Sequence, residues 1–176
     1  MRAVFVALAL GFAMAVLPYA GSLGAATAAP IPDACQLVTV AEASQFLGGA
    51  VTQDGPNSET VKAGPKRFQQ SNCLYRRIGR TDQVLELYFS RSLTRKPVAR
   101  LDDLKHECRG KPIKELRGLG DGALWSEAPC LSSGNSIQKE LDLVKARDLI
   151  RIGFAGTTTL PQAEAIADVV VARAAW

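Results

Sequence analysis

The chain has 176 residues, 47% of them hydrophobic and 22% charged, with a formal net charge of +4. That balance excludes a disordered polar chain and a collagen-like or low-complexity one, and the length suits one domain of common size. Charge is spread unevenly: Lys62 to Arg117 holds 15 basic and 6 acidic residues, a net of +9, which attracts anionic partners but comes with no recognised nucleic-acid-binding motif.

The first element is an export signal. Arg2 precedes an apolar run, Ala3 to Leu17; Pro18 ends it, and small residues lead to Ala26-Thr27-Ala28. This predicts a signal peptide over residues 1–28, cleaved after Ala28, and a mature α+β domain over residues 29–176. The run is shorter than the about 20 residues a membrane-spanning helix needs. Pro32-Asp33-Ala34 ahead of Cys35 is no lipoprotein box, so no stable membrane anchor is expected and the protein should be periplasmic or secreted.

Thr39-Val40-Ala41-Glu42 is a T-x-x-E capping box, predicting a helix from Val40 to about Leu47 that Gly48-Gly49 ends. A brief strand is predicted at 50–53. Residues 54–71, with turn chemistry at Asp54-Gly55-Pro56-Asn57 and Gly64-Pro65, read as a long loop. A hairpin follows, with strands at Cys73–Ile78 and Val84–Ser90 around Arg80-Thr81-Asp82. Pro97 opens a second helix with Val98, Leu101, Leu104 and Cys108 on one side, stopped by Gly110. Strands are predicted at Ile113–Leu116 and Ala123–Ser126, over the alternating run from Ile137 to Val144, and at Leu149–Phe154. Ser133-Gly134-Asn135-Ser136 and Lys145-Ala146-Arg147-Asp148 read as turns. The last helix starts near Thr159 and carries the stripe Ala163, Ile166, Ala167, Val170, Val171 and Ala174. The order helix, strands, helix, strands, helix predicts an α+β fold, an antiparallel sheet with packed helices.

Cys35, Cys73, Cys108 and Cys130 are the four cysteines. Behind an export signal they read as two disulfides, with three possible pairings. The layout of elements favours Cys35–Cys73 and Cys108–Cys130, each tying a helix end to the sheet. No C-x-x-C occurs and His106 is the one histidine, so neither a zinc site nor a dithiol centre is expected.

No nucleophile elbow, phosphate loop or zinc-protease motif is present, and no cofactor is expected. His106, Glu107 and Cys108 are adjacent in a predicted helix and point apart. Gly118-Leu119-Gly120-Asp121-Gly122 has glycines like a phosphate cradle but lacks the Lys-Ser/Thr ending, so it reads as a turn with Asp121 bonded to local backbone. Trp125 reads as a core anchor, with a pocket wall as the alternative.

Asp33-Ala34-Cys35-Gln36-Leu37-Val38-Thr39-Val40-Ala41-Glu42, then Asn72-Cys73-Leu74-Tyr75, then Gly118-Leu119-Gly120-Asp121-Gly122-Ala123-Leu124-Trp125 resembles small exported bacterial proteins and lipoproteins of unknown function. Those share a D-x-C-x-L-[LV]-T-x-x-E opening and a G-L-G-D-x-A-x-W element. The resemblance implies an extracytoplasmic α+β domain, similar to the αβα sandwich of the photosystem accessory protein PsbP, and no known activity.

The leading expectation is an exported non-catalytic binding or accessory module for an anionic envelope component, with Arg76, Arg77, Arg91, Arg95, Lys96 and Arg100 as candidate ligand-binding residues beside the 54–71 segment. One alternative is a small envelope hydrolase whose carboxylates, Asp121, Glu127 and Asp142 first, converge in the fold. Another is an inhibitor that inserts a loop into a partner enzyme.

Overall fold

Residues 31–130 and 137–174 are described by a computed structural model. The signal over 1–28 with its cleavage point, and the turn at Ser133–Ser136, lie outside them. Asp33 caps a four-residue helix, α1 (Ala34–Leu37), its carboxylate accepting from the Cys35 N–H. Thr39 then opens α2 (Val40–Leu47) with the capping box that the sequence predicts, and Gly48 closes it in the left-handed conformation. The same Glu42 reaches beyond its own helix, because Arg173 donates to both its oxygens. Arg173 and the two Thr39 donors hold the Glu42 carboxyl down to about 2.

Residues 51–77 correct the sequence reading. They form two long strands, β1 (Val51–Ala63) and β2 (Lys66–Arg77), joined by a tight turn at Gly64-Pro65. The other turn signal, Gly55-Pro56, is a bulge inside β1: Asp54 pairs with Leu74 and Asn57 with Asn72. Gly55 has φ +114°, and a Cβ there would stand 2.7 Å from the Asn72 carbonyl oxygen. Only glycine meets both demands.

The chain continues through β3 (Val84–Ser92), α3 (Leu101–Glu107), β4 (Ile113–Leu116), β5 (Gly122–Ser126), β6 (Lys139–Lys145), β7 (Asp148–Phe154) and α4 (Leu160–Arg173). Helix α3 starts later than Pro97 suggests. Residues 93–100 instead form a strap, and Asp103 accepts from the Arg100 N–H to start the helix at Leu101. Helix α4 follows its predicted stripe, with Ala163, Ile166, Ala167, Val170 and Ala174 buried. The seven strands form one antiparallel sheet in the order β1-β2-β3-β7-β6-β5-β4.

Strand alternation gives this sheet two unlike faces. One presents Cys73, Tyr75, Leu85, Leu87, Phe89, Leu141, Leu143, Ile150, Ile152 and Phe154 to α1, α2 and α4, forming the main core. Trp125 belongs here, 5.8 Å from the Phe154 ring and 2% exposed, so it is a core anchor. The other face carries a smaller cluster, Leu124, Val144 and Leu149 under Leu104 and Cys108 of α3. Leu101 of α3 lies so close to β5 that a Cβ on Gly122 would meet it at 3.0 Å.

The disulfides pair Cys35 with Cys73 and Cys108 with Cys130. The first fastens α1 to β2 on the main-core face; the second fastens the end of α3 to the segment after β5. With separations of 38 and 22 residues, each should contribute about 3–4 kcal/mol in the chain-entropy account. Two such bonds suit a non-reducing, extracellular-type environment, and no described helix is long and apolar enough to cross a membrane.

Candidate functional site

The second face of the sheet is where polar chemistry collects. Register aligns Asn72, Tyr88, Arg151 and Asp142 in one row across β2, β3, β7 and β6. Arg151 donates from Nε to Asp142 Oδ1 at 2.7 Å and from Nη2 to Oδ2 at 3.3 Å. The same Nε stands 2.7 Å from Glu140 Oε1. Both carboxylates are 1% exposed, and the Glu140 oxygens accept no hydrogen bond. Burial, and then the neighbouring Asp142 charge, push the Glu140 carboxyl up to about 8 against the pull of Arg151 and Lys111. Burial thus favours the protonated form of Glu140 beside the Asp142–Arg151 contact. Beside them, the Tyr88 hydroxyl donates to Glu86 Oε1 at 3.0 Å, and burial raises both groups.

Tyr88 and Arg151 of this row line a cavity of about 490 Å³ between the strap, α3 and β2. Its apolar walls are Ala63, Phe68, Val98, Ala99, Leu104 and Leu149; its polar lining is Lys66, Gln70, Tyr88, Ser90, Glu107 and Arg151. A more polar recess adjoins it along β1, sharing Gln70 and Tyr88 and bounded by Pro56, Asn57, Ser58, Glu59 and Asn72.

The candidate basic residues fall at two ends of the sheet. Arg76 is exposed at the C-terminal end of β2. Arg77 beside it donates to the Leu47 carbonyl and to Gln83, so it closes the end of α2. Arg91 is buried and bidentate on Asp148, Nε to Oδ1 at 2.9 Å and Nη2 to Oδ2 at 2.7 Å. Arg95, Lys96 and Arg100 are exposed on the strap at the far end of β3, roughly 25–30 Å of strand away at about 3.3 Å per residue.

Backbone hydrogen bonds gather more cations around that far end than the sequence reading named. Leu93 N donates to Arg67 O, Ser92 N and Val98 N donate to Arg147 O, and Lys66 Nζ donates to Val98 O. Lys62 pairs with Arg67 across the β1–β2 turn. Lys62, Lys66, Arg67, Arg95, Lys96, Arg100 and Arg147 are all exposed there. Acids on the neighbouring elements are Glu59 of β1, Asp102, Asp103 and Glu107 of α3, and Asp148, which holds Arg91. Lys62, Lys66, Arg67 and Arg147 were legible only as scattered charges, because the pairings that collect them are long-range.

The three carboxylates of the hydrolase reading have separate places. Asp121 accepts from the Ala146 N–H at 2.7 Å, while its own N–H donates to Val144 O. The G-L-G-D-G segment thus locks onto the β6–β7 turn, a partner more distant than local backbone. Glu127, exposed beyond the other end of β5, accepts from Trp125 Nε1 at 2.8 Å and faces Lys139. Asp142 is buried with Glu140 and Arg151. His106 is exposed on α3 with Nδ1 3.0 Å from Arg109 Nη2. Among the described residues, no three of His, Cys, Asp or Glu stand together where they could hold a metal ion.

No protein-family model, no curated protein and no solved structure matches the chain.

Proposed function

We propose that this protein is an exported, non-catalytic binding or accessory module that recognises an anionic component of the cell envelope. The supporting observation is the basic end of the sheet, where the β1–β2 turn, the strap and the β6–β7 turn present seven exposed cations, one of which, Lys66, also lines the cavity. Unpaired surface cations add little to stability, whereas a one-sign patch at the rim of a concavity concentrates oppositely charged ligands. The export signal and the two disulfides support the envelope as the setting. Helices on both faces of an antiparallel sheet support the αβα layering implied by the likeness to PsbP.

Vesicle co-sedimentation tests this reading. Phosphatidylglycerol vesicles should bind the protein at low salt, phosphatidylcholine vesicles should not, and 0.5 M salt should release it. The combined change Arg67→Gln, Arg95→Gln and Lys96→Gln should weaken binding at least tenfold. Equal binding to both vesicles, or no loss in the triple variant, overturns it.

The hydrolase reading keeps one specific observation, the buried Glu140–Asp142 pair sharing Arg151. Each carboxyl has an oxygen 2.7 Å from the same nitrogen, Arg151 Nε. Neither acid lines the cavity or the adjoining recess, so a substrate seated in them meets Arg151, Glu107 or Glu59 but not this pair. The inhibitor reading asks for a rigid protruding loop, and the long loop expected at 54–71 is a strand pair instead.

A further inference from the structure

The cavity and the basic rim differ in chemistry, and that difference specifies a ligand. Phe68, Val98, Ala99, Leu104 and Leu149 make most of the wall apolar. Two of the polar groups on the sheet side of the lining are already matched: Arg151 by Asp142, and Tyr88 by Glu86. A charged group driven against these two would lose water and find both already paired. Available positive charge lies instead at Lys66, which lines the cavity with Glu107 as the one acid of that lining and uses one of its three ammonium donors on Val98 O, and on Arg67, Arg95, Lys96 and Arg100, exposed on the adjoining turn and strap.

Resting on the anion-binding reading above, we propose that the cavity takes the hydrocarbon chain of a single-chain amphipathic anion, with its carboxylate or phosphate head at the Lys66 rim. The volume of about 490 Å³ is within the usual range for small-molecule sites. The apolar wall disfavours a bare inorganic anion, and the rim disfavours a cationic or neutral amphiphile of the same length.

Titration calorimetry on the protein produced from the full chain, with both disulfides formed, tests this using inorganic phosphate and monomeric octyl, decyl and dodecyl phosphate. Affinity should rise about two- to fourfold per added methylene, the upper figure being about 0.8 kcal/mol per buried methylene expressed as a ratio. Dodecyltrimethylammonium should bind at least tenfold more weakly than dodecyl phosphate. Ala99→Trp, which fills the cavity from the strap, should flatten the chain-length dependence while leaving the salt-sensitive binding of inorganic phosphate unchanged. Val98→Phe serves the same purpose if the tryptophan variant does not fold.

Equal affinity along the alkyl series, matching that of inorganic phosphate, overturns the chain site and leaves the anion reading standing. An unchanged alkyl series in a folded cavity-filling variant places the chain elsewhere and also overturns it. Equal binding of the cationic amphiphile removes the role of the rim. No binding of inorganic or alkyl phosphate defeats both readings.

Discussion

Glu140 carries the clearest electrostatic conflict in the molecule. It is buried beside Asp142, with Arg151 as the cation the two acids share. Its carboxyl is raised from 4.5 to about 8, so between those values the folded chain holds a proton that the unfolded chain has released. Linkage then fixes the sign: this group makes stability fall as pH rises through that window, with the loss levelling off above pH 8. Glu140→Gln imitates the protonated form and removes the charge. Urea denaturation at pH 5, 7 and 9 should show the variant close to wild type at pH 5 and increasingly more stable than wild type at pH 7 and 9. Parallel pH profiles would show that Glu140 is ionised throughout. None of this was legible in the alternation of Ile137 to Val144, which tells which side chains share a face but not whether that face is covered. Lys139 and Glu140 look equivalent in sequence, yet Glu140 is the one enclosed. Arg151, in a strand read as mostly apolar, gave no sign that it faces two acids on the next strand.

At the scale of elements, the legible parts were those whose signals are local. The Thr39–Glu42 box and Gly48 bound α2, and the apolar stripe of α4 is its buried side. Residues 54–71 failed as a loop for a physical reason: β1 is an edge strand, exposed along nearly all its length. With no face to bury, it has no hydrophobic period to display. Its turn signals were real but marked a bulge and a hairpin tip, and α1 is too short to show any period. The bulge supplies a test. Gly55→Ala places a Cβ against the Asn72 carbonyl at a φ of +114°, in backbone territory that costs about 1–3 kcal/mol when a side chain is forced into it. Thermal unfolding should show a lowered Tm. By contrast, Gly64→Ala, at the hairpin tip where a Cβ meets nothing within 4 Å, should cost only the strain of its positive φ. Equal losses at the two positions would remove the close approach as the cause.

For the whole molecule, the governing fact is one sheet with two unlike faces, each closed by its own disulfide. The main-core face is sealed by three helices over a continuous apolar layer. The other face is covered by α3, whose Leu104 and following Cys108 pack on just three buried sheet residues, Leu124, Val144 and Leu149, with the second disulfide and the Lys111 ammonium, which donates to Pro129 O, securing the α3 exit. Stability should therefore be uneven, and the cavity should belong to the weaker side. Removing the second bond with Cys108→Ser and Cys130→Ala releases a 22-residue separation, worth about 3 kcal/mol, and leaves α3 held by few apolar contacts. Amide hydrogen exchange should then show faster exchange confined to residues 101–116, with β3 and β7 close to wild type and any alkyl-phosphate binding weakened. Removing the first bond with Cys35→Ala and Cys73→Ala opens the main core instead, where Cys73 is completely buried. That variant should lose protection across the whole sheet together and fall in Tm as a unit. Identical exchange patterns in the two double variants would mean that the faces unfold as one, and that the ligand side has no separate freedom to open.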